Sequence, residues 1–552
     1  MNFKENESQT KLRGGYYTPA PIAAFLAKWV LLKKPRSILE PSCGDGAFIR
    51  AVNLECQSDT EFTGVEMLEG EANKARAEKI SNKNLFTRVV NADFLQWGID
   101  RLNEGKNFDC VLGNPPYIRY QYLGPKDQEL SEQIFKRYDL KFTKHTNAWV
   151  PFVISSIGLL KAGGRLAMVI PSELLHVLHA MSLRGYLLKE CSRILMIDPN
   201  ELLFDDALQG TVLLMVEKKL DKTIPSEGVA VVSAPNNNFL KTDPEKIFAS
   251  AKYVSGDVLN GKWMKVLLSI EELEVFERVR KLPLIKRFSD VANVDVGIVT
   301  GANKFFLVDD ATVKKYQLES YAKPMFGRSG HCPGIVYSNA VHRANAKKDM
   351  ATNFISINKV EFEDLTEGAK EYVLMGEAEG LHKRYKCRIR KPWYSVPSVY
   401  STSIGMLKRA HHYPRLILNT AGAYTTDTAY RISSKENADK LVYGFINSLT
   451  ALTAEMEGRH YGGGVLEMVP SEIEKLLIPV ADVENMNLDE LDKKIVNFHN
   501  PDALFIEQDK KVLIAAGLSE EDCRIIHQAW VHIRSRRQRL LGEEPVDVEI
   551  AS

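Results

Sequence analysis

The chain of 552 residues has little of what would place it outside the cell or in a membrane. Its seven cysteines (Cys43, Cys56, Cys110, Cys191, Cys332, Cys387 and Cys523) are scattered, odd in number and form no Cys-x-x-Cys pair. That argues against a disulfide framework or a zinc ribbon and fits a reducing cytoplasm. No apolar run reaches the about 18 residues of a transmembrane helix, so no membrane partner is expected. Met1 to Lys11 is polar without an apolar centre, so no secretory signal is expected. Neither sign of charge dominates: 72 Lys and Arg stand against 71 Asp and Glu, a net +1. Any case for a nucleic-acid partner must therefore come from local charge. Internal repeats and low-complexity tracts are missing, and His411-His412 and His331-Cys332 lack a ligand spacing, so no metal is expected.

What is present is an ordinary globular composition, 45% hydrophobic and 26% charged, at a length that calls for two or three domains. From Arg36 to about Lys219, strand-like runs alternate with helical ones. The runs are Ser37–Glu40, Phe62–Glu66, Leu85–Val90, Phe108–Leu112 and Gly164–Ile170, closed by Ser192–Ile197 and Thr211–Glu217. Strands separated by helices predict an α/β fold with a doubly wound, Rossmann-like parallel sheet. Lys218–Glu227 and the Pro/Asn/Asp-rich turns to about Gly256 read as a boundary. Irregular α+β sequence follows, then helical patterns in Lys510–Ala516 and Asp522–Leu541. The expected domains are 1–255, 256–480 and 481–552.

The most informative stretch is Val111-Leu-Gly-Asn114-Pro115-Pro116-Tyr117. A short apolar strand ends there in a loop that offers acceptors and a flat face. The Asn114 side-chain oxygen accepts. Pro115 and Pro116 lack N–H and have fixed φ, so the Pro115 carbonyl is held as a second acceptor. Tyr117 supplies a plate on which a base can stack. Two acceptors and an aromatic suit the planar NH2 of adenine, cytosine or an amide. That the loop holds no acid or base points to attack by a neutral nitrogen on an already activated electrophile.

Earlier strand ends carry complementary features. Glu40-Pro41-Ser42-Cys43-Gly44-Asp45-Gly46 follows the first strand and opens a helix, where glycines admit a ligand to the backbone and the helix start offers free N–H groups. The run is not G-x-G-x-x-G, which makes a dinucleotide less suitable. Glu66 ends the second strand, where a carboxylate can accept from ribose hydroxyls. Asp93, ending the third, can accept from an adenine amino group, and Phe94 can pack on the ring. Gly14-Gly15-Tyr16-Tyr17-Thr18-Pro19 precedes an amphipathic helix, Ile22–Leu32, with Thr18 as its expected N-cap and Pro19 as its first residue.

In this order the motifs resemble the γ-class DNA adenine-N6 methyltransferases, the TaqI-like and Eco57I-related methylases of restriction-modification systems. The resemblance covers about residues 10–480. In the second half it rests on Gly297-Ile-Val-Thr300-Gly301-Ala-Asn303 and on Tyr461-Gly-Gly-Gly-Val-Leu-Glu-Met-Val-Pro470. It implies S-adenosylmethionine as cofactor, with Thr18, Glu40, Ser42 and Gly44 around its methionine part, Glu66 on the ribose, and Asp93 and Phe94 on its adenine. Asn114, Pro115 and Tyr117 would hold the target adenine, flipped from the duplex, with Phe204 and Tyr16 as further walls. Residues 1–255 would then be catalytic, 256–480 the target-recognition domain and 481–552 a helical extension. The partner implied is double-stranded DNA, the enzyme is expected to work as a monomer, and a cognate restriction endonuclease is the further partner the resemblance allows.

Local charge supports DNA separately. Between Leu381 and Arg431 lie ten Lys and Arg, Arg388 and Arg390 among them, against one acid, Asp427, with Tyr385, Trp393, Tyr394 and Tyr413 interleaved. A basic, aromatic-bearing segment suits phosphate tracking. The run Arg534–Arg539 is more ambiguous, because helix ends commonly carry cations. The same Asn-Pro-Pro-Tyr loop would also serve an RNA-base or a protein-glutamine methyltransferase, although the latter needs far less chain after its sheet. A non-catalytic DNA-binding subunit of a restriction complex is the alternative of another class. No paired-carboxylate and lysine pattern of a fused nuclease is evident.

Overall fold

The apolar runs of the first half become the strands of one eight-stranded sheet. They are β1 (Ser37–Glu40), β2 (Thr60–Glu66), β3 (Leu85–Asn91), β4 (Phe108–Gly113), β5 (Leu160–Pro171), β6 (Cys191–Pro199), β7 (Thr211–Lys218) and β8 (Gly228–Ala234), in the order β3-β2-β1-β4-β5-β7-β6-β8. The computed structural model describes residues 17–199, 210–259, 261–461, 463–497 and 500–538. Strands β1 to β5 run parallel, with Leu39 beside Thr63 of β2 and Val111 of β4. Strand β7 is antiparallel to both β5 and β6, and β8 is parallel to β6. Strand order reverses between β1 and β4. Such a reversal opens a crevice beyond the carboxyl ends of the strands, where open α/β sheets bind ligands.

Alternation along the strands divides the core between two faces. Ala167, Val169, Leu213 and Met215 pack with Phe25, Trp29, Phe48 and Phe248 from α1 (Ala20–Leu31), α2 (Ala47–Glu55) and α8 (Pro244–Ser250). Leu166, Met168, Leu214 and Val216 are fully buried on the alternate positions. The helices α3 (Glu69–Arg76), α4 (Phe94–Asn103), α5 (Pro125–Arg137), α6 (Trp149–Gly158) and α7 (Met181–Glu190) complete the unit. Helix α6 is buried from Trp149 to Ile157, between neighbours α4 and α5. An all-round apolar helix needs such cover.

Two expectations are corrected here. Thr18 does not cap α1: the cap position is Pro19, no side chain caps the helix, and Pro21 sits in its first turn. The Pro19 carbonyl instead accepts from Ile22 and Ala23 at 3.0 and 3.1 Å. The stretch read as a boundary holds β8 and α8, because Val229 and Ala230 are buried against β6.

The chain divides between Leu267 and Leu268 into two compact units, and the helices from Leu488 to Gln538 group with the second. That unit holds a five-stranded sheet in the order Ala292–Val296, Ala429–Ser434, Ile404–Leu407, Leu416–Asn419, Val336–Tyr337, and a smaller four-stranded sheet around Ala322–Phe326. Helix Glu520–Gln538 packs on Ser448–Glu457. There Arg537 grips the fully buried Glu455 through two hydrogen bonds of 2.7 and 2.8 Å. Beside this guanidinium the Glu455 carboxyl, although buried, is held down at about 2. Among the described residues no helix is long and apolar enough to cross a membrane, and no group of three or more His, Cys, Asp or Glu could hold a metal ion.

Candidate active site

Four parallel strands end side by side, and their carboxyl ends carry the residues singled out in the sequence. After β1 the chain turns through Cys43, whose N–H donates to Val65 of β2 at 3.0 Å. The turn closes at Gly46, which caps α2 at φ +92°, a left-handed conformation that favours glycine. No side chain caps the first turn of α2.

Glu66 ties the neighbouring strand ends together. Its Oε2 accepts from the Gly44 N–H at 3.0 Å and its Oε1 from the Leu68 N–H at 2.8 Å. The Asn91 amide donates to the carbonyls of Glu66 and Met67 at 2.9 and 3.0 Å, which locks the end of β3 against β2. Asp93 caps α4: its Oδ1 accepts from the Leu95 N–H at 2.9 Å, and no described residue hydrogen-bonds its Oδ2. Phe94 is buried 5.0 Å from Phe152 and 6.3 Å from Trp97, ring centre to ring centre.

Glu40 stands apart from the other carboxylates. It is 2% exposed, and its Oε2 is buried with no hydrogen-bond partner. Burial first, then the charges of Glu66 and Asp45, push its carboxyl well above the usual carboxylate range. An orphaned buried carboxyl with two further carboxylates nearby suits a cationic ligand.

At the end of β4, the backbone carbonyl of Asn114 accepts from Ser42 Oγ at 3.0 Å, which joins the two loops at the strand-order reversal. Pro115 is buried, and Asn114, Pro116 and Tyr117 are half-buried. The Tyr117 hydroxyl donates to the Val169 carbonyl of β5 at 3.0 Å and so holds the ring by its rim. Asn147 braces the loop exit. Its Oδ1 accepts from the Tyr120 N–H at 3.1 Å, and its amide donates to Glu173 at 3.2 Å.

Thr18 is buried in the segment leading to α1, and the ring of the adjacent Tyr17 lies 4.0 Å from where a Cβ on Gly44 would stand. Tyr16 and Phe204 lie outside the described residues. Arg388 and Arg390 lie in the second unit. Arg388 is exposed, whereas the Arg390 guanidinium donates to the carbonyls of Val299 and Thr300 at 2.6 and 2.7 Å. Sequence reasoning passed over Met67, which is 63% exposed directly after Glu66. A large apolar residue left in solvent beside a strand-end carboxylate is the signal that could have found it.

Comparison with known proteins gives a consistent picture. Residues 21–204 match the family model described as Eco57I restriction-modification methylase, and residues 260–513 the one described as Type II methyltransferase M.Eco57I, C-terminal domain. The chain is 24% identical over 516 residues to the Type II methyltransferase M.AccI of Acinetobacter calcoaceticus, covering 86% of this chain and 87% of that one. Against M.XamI of Xanthomonas campestris pv. amaranthicola it is 24% identical over 494 residues, 86% of each chain. Its fold is similar to that of the Type IIL restriction-modification enzyme MmeI, solved in complex with DNA, with a TM-score of 0.55 at 13% identity over 98% of this chain and 78% of that one.

Proposed function

The chain belongs to the Eco57I family of restriction-modification methylases, and from that premise we propose that it methylates N6 of an adenine flipped out of double-stranded DNA. It is a DNA methyltransferase of a restriction-modification system, with S-adenosylmethionine as methyl donor. The observation that carries the amino-methylation reading is the acid-free Asn114-Pro115-Pro116-Tyr117 loop, joined through Ser42 to the strand ends that hold Glu40, Gly44, Glu66 and Asp93, and the order of the motifs supports adenine as the base.

S-adenosylmethionine supplies a methyl group on a sulfonium, already a potent electrophile. Glu40 gives the methionine part a buried, unpartnered carboxyl. Glu66 would accept from the ribose hydroxyls, Asp93 Oδ2, which no described residue hydrogen-bonds, would accept from the cofactor's adenine amino group, and Met67 would offer it an apolar face. The target is bound by acceptors: Asn114 Oδ1 and the Pro115 carbonyl take the two N6 hydrogens. That draws the nitrogen toward a tetrahedral shape and frees its lone pair. Preorganised acceptors also stabilise the positive charge that develops on nitrogen, at no cost of reorganisation. The Tyr117 ring, held by its hydroxyl, compensates the flipped base for lost stacking by about 1–3 kcal/mol. The first unit carries this chemistry; residues 256–480, most of them in the second unit that begins at Leu268, read the DNA site, with 481–552 as a helical extension. A cognate endonuclease and action as a monomer complete the proposal.

Asn114→Ala tests it. The variant should lose methyl transfer while binding S-adenosylmethionine as the parent does, because the hydrogen bond from Ser42 reaches the Asn114 backbone, which survives the change. Parent-like turnover would remove Asn114 from this role.

A further inference from the structure

The turn around Tyr385–Lys391 in the second unit combines features the catalytic reading does not use. Lys383, Arg384, Lys386, Arg388 and Lys391 are all exposed, and none forms an ion pair with a described residue. Other cations of the same basic segment have partners within the protein. Lys408 and Arg409 pair with Glu467 at 3.2 and 2.7 Å, and Arg431 donates to the carbonyls of Ser398 and Val296. Among the five unpaired cations stand two large apolar side chains, Tyr385 at 64% and Ile389 at 62% exposure. The Arg388 guanidinium lies 5.5 Å from the centre of the Tyr385 ring.

The turn is firmly seated. Cys387 between the exposed residues is buried, and Arg390 binds the carbonyls of Val299 and Thr300. Gly301, at φ +80°, approaches so closely that a Cβ there would lie 2.6 Å from the Lys386 Cβ. Arg390 is thus a bolt of the turn. Fixed backbone on one side and unpaired cations around two apolar side chains on the other make a surface that needs a partner. An ordinary apolar partner would have to desolvate five charges. A DNA duplex neutralises them with phosphates and accepts an apolar side chain between base pairs.

We infer that this turn is a DNA-deforming wedge, in which Ile389 enters a base step beside Tyr385 while Lys386, Arg388 and Lys391 hold the flanking phosphates. The inference rests on the reading that the protein acts on duplex DNA. The test uses the full-length protein and a duplex labelled at both ends, containing the site located by mapping methylated bases. Energy transfer between the labels reads the bend. The parent should bend the duplex. Ile389→Ala should lose the bend and bind about tenfold more weakly, with an unchanged salt dependence. The double variant Lys386→Gln/Arg388→Gln should instead keep the bend at low salt while its log K against log salt slope falls by about 2. Both changes are at exposed positions, and a parent-like melting curve checks the fold. An Ile389→Ala protein that bends and binds DNA like the parent overturns the wedge. A parent that neither binds nor methylates DNA overturns the reading beneath it.

Discussion

At Asn114 the reaction asks for hydrogen-bond acceptors rather than a base, because the cofactor already carries the driving force. The neighbouring Glu40 makes a sharper demand. Burial first, then the charges of Glu66 and Asp45, raise its carboxyl well above the usual carboxylate range, so an arriving cation would draw it toward the carboxylate. S-adenosylmethionine brings a sulfonium and an ammonium, and a nearby cation favours the carboxylate. Cofactor binding should therefore release a proton and tighten as pH rises, by up to about tenfold per unit below the carboxyl's own pKa. Calorimetry in two buffers of different ionisation heat counts that proton. In Glu40→Gln both the proton and the pH dependence should vanish, and an unchanged proton count would remove Glu40 from the site. Residue identity also sets what the sequence hid. The charge of Arg390 was legible, but its carbonyl partners at Val299 and Thr300 were not, because they lie some 90 residues away. The exposed Met67 likewise became conspicuous only with its burial known.

Among elements, strands β1, β2 and β4 to β7 were legible because each is a largely apolar run buried on both faces, whereas the mostly exposed edge strand β3 was legible through its aromatic and β-branched residues. Strand β8 was lost behind the polar Lys218–Glu227, although Gly228-Val-Ala-Val-Val has the same character. The start of α1 was misread because Thr-Pro matched a capping pattern, while Pro21 two residues on fits the first turn equally well. The second unit's sheets escaped because strands of two to six residues carry too little periodicity, and their partners are distant in sequence. Helix packing there yields a prediction. Burial raises the Asp509 carboxyl to about 7, where its Oδ1 accepts from the Ser448 N–H at 2.8 Å. A folded-state pKa above the unfolded value gives stability that is fully present below about pH 4 and lost as pH rises to about 7. Asp509→Asn should therefore melt higher than the parent at pH 8, with the difference shrinking toward pH 5. An equal difference at both pH values would contradict the buried neutral carboxyl.

For the whole molecule, near-zero net charge coexists with a locally unpaired basic turn, so binding to DNA should depend on salt through that turn rather than through overall charge. Two units with separate cores should also respond separately to the cofactor. At a hundredfold excess over Kd, S-adenosylmethionine stabilises what binds it by about 2.7 kcal/mol, which raises melting by roughly 5–10 °C. Scanning calorimetry should show the transition of the first unit moving and that of the second staying. Equal shifts of both would contradict confinement of the cofactor site to the strand ends of the first unit.

The central claim is that the Asn114–Tyr117 loop presents an adenine amino group to the methyl donor. Its most direct measurement is nucleoside analysis of duplex DNA after reaction with the purified protein and S-adenosylmethionine. The account predicts N6-methyldeoxyadenosine with the parent and none with Asn114→Ala. Methylated cytosine in place of methylated adenine would contradict it.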